Sequence, residues 1–373
     1  MTETEMIVSS PTGDPDQVTL FVGGTALTGW TDIAITRRSE GCPNSFEVAV
    51  TSRDPKTGAV TAALAGDSCE VEIGNDRVIT GYVDRNLNAG SASDHTLRII
   101  GRGKCADLVD CSAEWLSGQI LGSNVLEVSQ KLAAAYGIEV AIAGGIDPGP
   151  VVPQLNLNYG ETAYAIIERL TRAAGLLAYE DAQGRLVLTR AGSTTAASGI
   201  AYGQNVERWE TVNAMDARYS EIVCVRSGVN NMGDLGEAGF AFDTERDPNV
   251  KRHRLLYLVM EPTAEDPAGF VERRARWEIA RRAGRGRQVR VTVDSWRDSA
   301  GNLWEPNTLA PIDVPGLAAT DRLLVISEVT YLRDSEAGTT AELLLMPREA
   351  FLPEPIVLMP VNLADVVPLP PTN

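Results

Sequence analysis

Asn307-Thr308-Leu309-Ala310-Pro311-Ile312-Asp313-Val314-Pro315-Gly316, carried on by Leu323-Leu324-Val325-Ile326-Ser327-Glu328-Val329-Thr330-Tyr331 and closed by Thr340-Ala341-Glu342-Leu343-Leu344-Leu345, decides how this chain is read. Short apolar runs rich in β-branched residues, punctuated by Pro-Gly and by a polar loop holding Gly338, predict an antiparallel meander. An earlier segment, 67–101, repeats the pattern. Val71 and Ile73 lead to a turn at Gly74-Asn75-Asp76, then come Val78-Ile79-Thr80-Gly81-Tyr82-Val83, a loop through Gly90, and Thr96-Leu97-Arg98-Ile99-Ile100. The match is one of pattern and not of identity. A repeated supersecondary unit implies duplication, so the expected fold is mainly β, with two related small antiparallel β-barrels flanking an α+β insert.

Working outward, Val18-Thr19-Leu20-Phe21-Val22, then Trp30, Ile33 and Ile35, then Phe46, Val48 and Val50 alternate with polar residues and complete a first barrel of about six strands. After Gly101 the period changes. Val125, Val128, Leu132 and Ala135 share one helical face that ends at Gly137, and Ala163, Ile166, Ile167 and Leu170 form a second stripe closed by Gly175. A hairpin across Asp181-Ala182-Gln183-Gly184 follows. Residues 191–198, rich in Ser, Thr, Ala and Gly, read as a linker, and 227–249 as a long mobile loop. Residues 268–283 predict a helix with Val271, Ala275, Ile279 and Ala283 on one face. The expected division is an arm over 1–16, a barrel over 17–104, an α+β domain over 105–198, a second barrel with an Arg-rich helix over 199–351, and a tail over 352–373.

Composition narrows the function. The chain has 373 residues, 44% hydrophobic, with a formal net charge of −17. Such a surplus of acid argues against a general nucleic-acid or anionic-membrane binder, which needs excess Lys and Arg. Neither a signal peptide nor an apolar run of about 20 residues is evident, so no membrane binding is expected. The five cysteines, Cys42, Cys69, Cys105, Cys111 and Cys224, are odd in number and scattered, which predicts reduced thiols without a metal site.

Catalytic signatures are lacking. His95 and His253 read as surface residues without a third ligand. Gly101-Arg102-Gly103-Lys104-Cys105-Ala106 has a loose Gly-x-Gly-x-x-Ala spacing, but it follows an antiparallel strand. There is no Gly-x-Ser-x-Gly elbow, Walker loop or His-Glu-x-x-His. No catalytic residue, metal or cofactor is expected, although an acidic chain always offers carboxylate pairs of the kind glycosidases use.

Charge is unevenly spread. Between Lys251 and Arg297, twelve basic residues stand against six acidic ones, a local surplus of six. Helical i,i+4 pairing of Glu272 with Arg276 and Glu278 with Arg282 explains part of it. Arginine's bidentate geometry favours carboxylate contacts at interfaces, so Arg273, Arg274, Arg281 and Arg282 are the candidate subunit interface, against a solvated helix face or a nucleic-acid contact. The tail after Leu352 carries six prolines among apolar residues, which excludes helix from most of it. Ile356, Leu358, Val361 and Leu363 are its candidate docking residues, either on a partner or back on their own chain.

Val18-Thr19-Leu20-Phe21-Val22-Gly23-Gly24, Gly29-Trp30-Thr31-Asp32-Ile33 and Ser45-Phe46-Glu47-Val48-Ala49-Val50-Thr51 resemble the opening of the baseplate hub proteins of Mu-like contractile-tailed bacteriophages. Trp304-Glu305-Pro306-Asn307-Thr308 and 323–329 resemble their second barrel, so the resemblance runs to about Phe351. It implies a structural virion protein made in the host cytoplasm. It also implies a homotrimer whose six barrels ring a channel through which DNA passes, adapting the six-fold tail tube protein to the three-fold central spike protein among other baseplate proteins. Alternatives are a hub or spike component of a tailocin or other contractile injection system, and a tail-associated cell-wall hydrolase.

Overall fold

The computed structural model describes residues 13–52, 63–91, 95–192, 194–227, 240–260, 269–318 and 321–355. In chain order, the first part is all strand: β1 (Val18–Val22), β2 (Thr25–Leu27), β3 (Asp32–Arg38), β4 (Ser45–Ser52), β5 (Ser68–Ile73), β6 (Asp76–Gly90) and β7 (His95–Gly103). The middle part mixes α1 (Ala106–Asp110), β8 (Gln119–Ser123), α2 (Val125–Ala134), β9 (Val140–Ile142), β10 (Val152–Asn156), α3 (Ala163–Ala174), β11 (Leu177–Glu180) and β12 (Leu186–Thr189). The remainder holds β13 (Thr194–Thr195), β14 (Ile200–Ala201), β15 (Val206–Asn213), β16 (Glu221–Ser227), β17 (Phe240–Arg246), β18 (Leu255–Met260), α4 (Phe270–Arg285), β19 (Arg287–Val293), β20 (Thr308–Asp313), β21 (Leu323–Asp334) and β22 (Gly338–Met346), then a 3-10 turn, Arg348–Phe351.

The same antiparallel strand order occurs twice. One half runs β3-β4-β7-β6-β5 and the other β15-β19-β22-β21-β20. Each has a register shift in its long strand, between Val83 and Arg85 in β6 and between Ile326 and Glu328 in β21. The two barrels expected from this repeat are corrected: among the described residues no closed barrel is found, and both halves belong to one 14-stranded sheet. The physical reason lies in β21. Along β21, β20 occupies only Leu323 to Val325, which leaves the edge from Glu328 to Arg333 for β3. The apolar faces accordingly merge into a single core that runs from Val18 and Leu20 through Ile99 to Val291, Trp296 and Leu345.

Residues of the middle part form their own core around Leu108, Val128, Leu132, Ile166 and Leu170, as the helical stripes require. α2 begins in a capping box, in which Asn124 accepts from the Glu127 amide at 3.0 Å while the Glu127 carboxylate accepts from the Asn124 amide at 3.1 Å. α3 ends at Gly175, whose φ of 70° is the left-handed cap that glycine adopts without cost.

Two expected loops are structured. Thr194 and Thr195, in the expected linker, pair with β20, and the later part of 227–249 is β17, paired with β16. That strand joins β16 and β18 in a small sheet whose inner face, Ile222 and Cys224, packs on Val271 and Ala275 of α4. Gly284 lets the 3-10 turn approach, since a Cβ there would collide with Ala350.

Candidate assembly surfaces

The joint between the halves is a strand pairing reinforced by charge. Thr36 lies opposite Thr330, their hydroxyls 3.1 Å apart. Arg38 Nε donates to Glu328 at 2.8 Å. Arg37, on the inward parity of β3 with Ile33 and Ile35, is buried and reaches Glu305 at 2.6 Å. Burial alone would lower the pKa of Arg37, but the adjoining Glu305 carboxylate outweighs that and holds the guanidinium charged.

Most of the basic window is spent inside the chain. Arg285 pairs with Glu40, Arg287 with Asp321 at 2.6 Å, Arg276 with Glu245 at 2.9 Å, and Arg297 with Asp16 at 3.2 Å and Asp76 at 2.7 Å. Of the four candidate interface arginines, Arg274 pairs with Glu354 and lies 3.7 Å from the buried carboxylate of Glu278. Arg282 donates to Glu278 at 2.7 Å and stacks on Tyr219. Arg281 covers the Trp277 ring, its pKa lowered by burial and by neighbouring Arg285. Arg273 is exposed. The fold thus separates the four, which sequence treated alike.

The chain after the 3-10 turn starts along its own α4: the Trp277 indole donates to the Leu352 carbonyl at 2.7 Å, and Glu354 meets Arg274. Ile356, Leu358, Val361 and Leu363 lie outside the described residues. Elsewhere the outer face of the small sheet exposes Phe242, Tyr257 and Val259, and the middle part exposes Leu116, Leu121 and Tyr159.

Residues weighed for chemistry take structural places. His95 opens β7 rather than lying in a loop, and His253 is exposed. Gly101 and Gly103 are packing glycines, where a Cβ would strike the Phe46 ring and the Glu180 carboxylate respectively. The five cysteines are free thiols, and burial pushes Cys69 up to about 12 and Cys224 to about 11, so both stay protonated. Among the described residues no group of three or more His, Cys, Asp or Glu could hold a metal ion, and no helix is long and apolar enough to cross a membrane.

Glu180 was not among the sequence candidates. It is 1% exposed and accepts from the backbone amides of Asn44 and Cys105, each at 2.8 Å, tying β11 of the middle part to the chain leaving β7 and entering β4. Burial pushes its carboxyl up to about 7, against those amide hydrogen bonds, which pull it down. The signal was available: strand alternation puts Glu180 on the same buried face as Ala178.

Comparison with known proteins assigns this architecture to baseplate proteins of Mu-type tails. Residues 17–103 match the family described as Mu phage baseplate assembly protein GpP-like, N-terminal. Residues 105–190 match the second domain of baseplate hub protein gp44-like proteins, and 268–354 the fourth domain of Mu phage baseplate assembly protein GpP. The chain is 30% identical over 344 residues to the baseplate hub protein gp44 of Escherichia phage Mu, covering 90% of this chain and 89% of that one. It belongs to the gp44 baseplate hub family. The 43 kDa tail protein of prophage MuSo2 from Shewanella oneidensis is 30% identical, with a TM-score of 0.79 over 90% of this chain and 99% of that one. A tail protein from Neisseria meningitidis MC58, 22% identical, shares the fold with a TM-score of 0.74 over 91% of this chain and 98% of that chain.

Proposed function

We propose that this chain is the structural hub of a contractile tail baseplate. Three copies form a ring in which six repeated sheet units surround a channel, so that one face meets the six-fold tail tube and the other the three-fold spike. The protein is made in the host cytoplasm and ends in the virion tail, touching other baseplate proteins, with DNA only in transit. The observation that carries this reading is the doubled strand order in a gp44-family chain. Two like units per chain are what a three-to-six adaptor needs.

Light scattering on the purified protein is expected to give three times the 40.0 kDa chain mass, with a three-fold ring in negative-stain images. A monomer at all concentrations would remove the adaptor role. A hub of another contractile injection system would have the same geometry, and the fold is shared, at 12% identity and a TM-score of 0.57, by the E. coli c3393 component of the type VI secretion system. The genes beside this one distinguish the two. The role is structural, so peptidoglycan zymograms are expected to show no clearing.

The four candidate arginines divide in this reading. Arg273 and Arg281 face a neighbouring subunit, whereas Arg274 and Arg282 hold Glu278. Alanine at Arg273 and Arg281 is expected to lower the sedimentation coefficient at a given concentration with little change in melting. Alanine at Arg282 is expected to cost about 1.5–3 kcal/mol of stability, because a buried carboxylate loses a charged donor. If alanine at Arg273 and Arg281 also alters melting alone, α4 takes no part in assembly. The tail from Ile356 onward, with Leu358, Val361 and Leu363, docks on a partner; deleting 356–373 would then abolish partner binding with unchanged melting.

A further inference from the structure

The turn between β3 and β4 is pinned to the middle part of the chain on both sides of Cys42. Before it, Gly41 bridges to Tyr179. After it, the Asn44 amide donates to Glu180 Oε2 at 2.8 Å and the Asn44 side chain donates to the Glu180 carbonyl at 3.0 Å. The other oxygen of the same carboxylate, Oε1, accepts at 2.8 Å from the amide of Cys105, the residue that opens α1. Cysteines from two distant segments are thereby brought to one place, and their thiols lie within hydrogen-bond reach of each other.

The two thiols differ in surroundings. Cys42 is half-buried and touches the Tyr164 hydroxyl, and its neighbour Gly41 lines a cavity with Tyr164 and Ala178. Cys105 is 0% exposed, and its thiol reaches both the Cys42 sulfur and the Glu180 carboxylate. The Cys42 sulfur, and after it burial, hold the Cys105 thiol protonated, so it is the poorer target for an oxidant arriving from water. The remaining thiols stand apart. Cys69 is in β5, Cys224 in β16, and Cys111 at the far end of α1, about 9 Å along the helix from Cys105.

We infer that Cys42 and Cys105 are a redox pair that closes to a disulfide, stapling the large sheet to the middle part. The pair lies within one chain, so the inference is independent of the ring reading. A peroxide is the oxidant. The Cys42 sulfur attacks it, an S–O bond forms as the O–O bond breaks, and the released hydroxide takes up the thiol proton as water. The Cys105 sulfur then attacks Cys42, forming the S–S bond and breaking the S–O bond. The Cys105 proton passes to Glu180 and on to the departing hydroxide, which leaves as a second water. Two thiols and one hydrogen peroxide thus give one disulfide and two waters, with Glu180 restored. A reducing cytosol keeps such a pair open and an oxidising exterior closes it, so the staple sets after the virion leaves the cell.

The test treats the full-length protein, without denaturant, with hydrogen peroxide at about pH 8, above the Glu180 value of about 7. Alkylation is expected to count five thiols before treatment and three after. Tryptic peptides should be joined Cys42 to Cys105, with no chain-to-chain product on a non-reducing gel. The melting temperature is expected to rise by a few degrees and to return with dithiothreitol, because closing a loop of about 60 residues restricts the unfolded chain. Single variants separate the two roles. Cys105→Ser is expected to stop at the sulfenic acid, which dimedone labels at Cys42, whereas Cys42→Ser is expected to keep its four thiols. Five thiols persisting in the parent under treatment that oxidises free glutathione, or a disulfide between any other pair, would overturn the assignment. Dimedone label on Cys105 in Cys42→Ser would overturn the order of attack, and a closed disulfide with unchanged melting would overturn the staple.

Discussion

Trp296→Ala will destabilise the protein by about 3–5 kcal/mol, the range for emptying a fully buried large side chain. The ring is 0% exposed, sits 6.1 Å from Tyr331 in an edge-to-face arrangement, and is covered by Arg333. Its indole N–H is shared between the carbonyls of Leu332 at 3.0 Å and Thr340 at 2.8 Å. It thereby locks the far end of the β21–β22 hairpin, the same stretch of β21 that receives β3. Urea unfolding followed by circular dichroism should register the loss. Trp296→Phe, which keeps most of the buried area and surrenders the N–H, is expected to cost about 1–3 kcal/mol. A change below 1 kcal/mol in Trp296→Ala would mean that the hairpin end does not belong to the cooperative core.

Stability is also expected to fall as pH rises from about 4.5 to about 7 because of Glu180. Its ordinary value is 4.5 and burial raises it to about 7. In that window the folded state holds a proton that the unfolded state has lost. The contribution is fully present below 4.5 and is lost as pH rises through 7. At about 1.4 kcal/mol per pH unit, it amounts to roughly 3 kcal/mol. Glu180→Gln removes the dependence. It also leaves one of the two amides, Asn44 or Cys105, facing an NH2 group in place of an acceptor, so the variant is expected to be weaker at pH 5 by about 1–3 kcal/mol. The difference from the parent should shrink toward pH 8. Thermal melts of both proteins from pH 4.5 to 8 check this, and parallel curves would show that Glu180 is not the titrating group. This carboxylate fastens the middle part to the large sheet, at the entry to β4 and the exit from β7.

How much of this was legible depends on the distance over which each interaction acts. The two meanders could be read because alternation and turn residues are local: Val71 and Ile73 before Gly74, or Leu343 and Leu345 within β22, carry their buried parity in the sequence itself. α2 and α3 were legible for the same reason, through an apolar stripe and a cap. α4 was legible as a helix, with Val271 and Ala275 on its buried face.

The destinations of the arginines were not legible. Arg285 meets Glu40 across 245 positions and Arg297 meets Asp16 across 281, and nothing near either arginine in sequence names its partner. A surplus that reads as an outward-facing patch is therefore largely a set of internal staples. Arg37 and Glu180 were half legible, since alternation places both on inward positions, but the partners that make their burial tolerable come from distant segments.

By itself the sequence determined the two meanders, the helices α2, α3 and α4, the doubling and the family, because these rest on periodicity, caps and turn chemistry within a few residues, whereas β13, β17 and α1 escaped it. The tertiary structure alone decided that the two units join edge to edge through β3 and β21 in one sheet instead of closing separately. Which strand edges meet depends on length and register across hundreds of residues, and backbone N–H and C=O groups pair in the same way whatever side chains they carry.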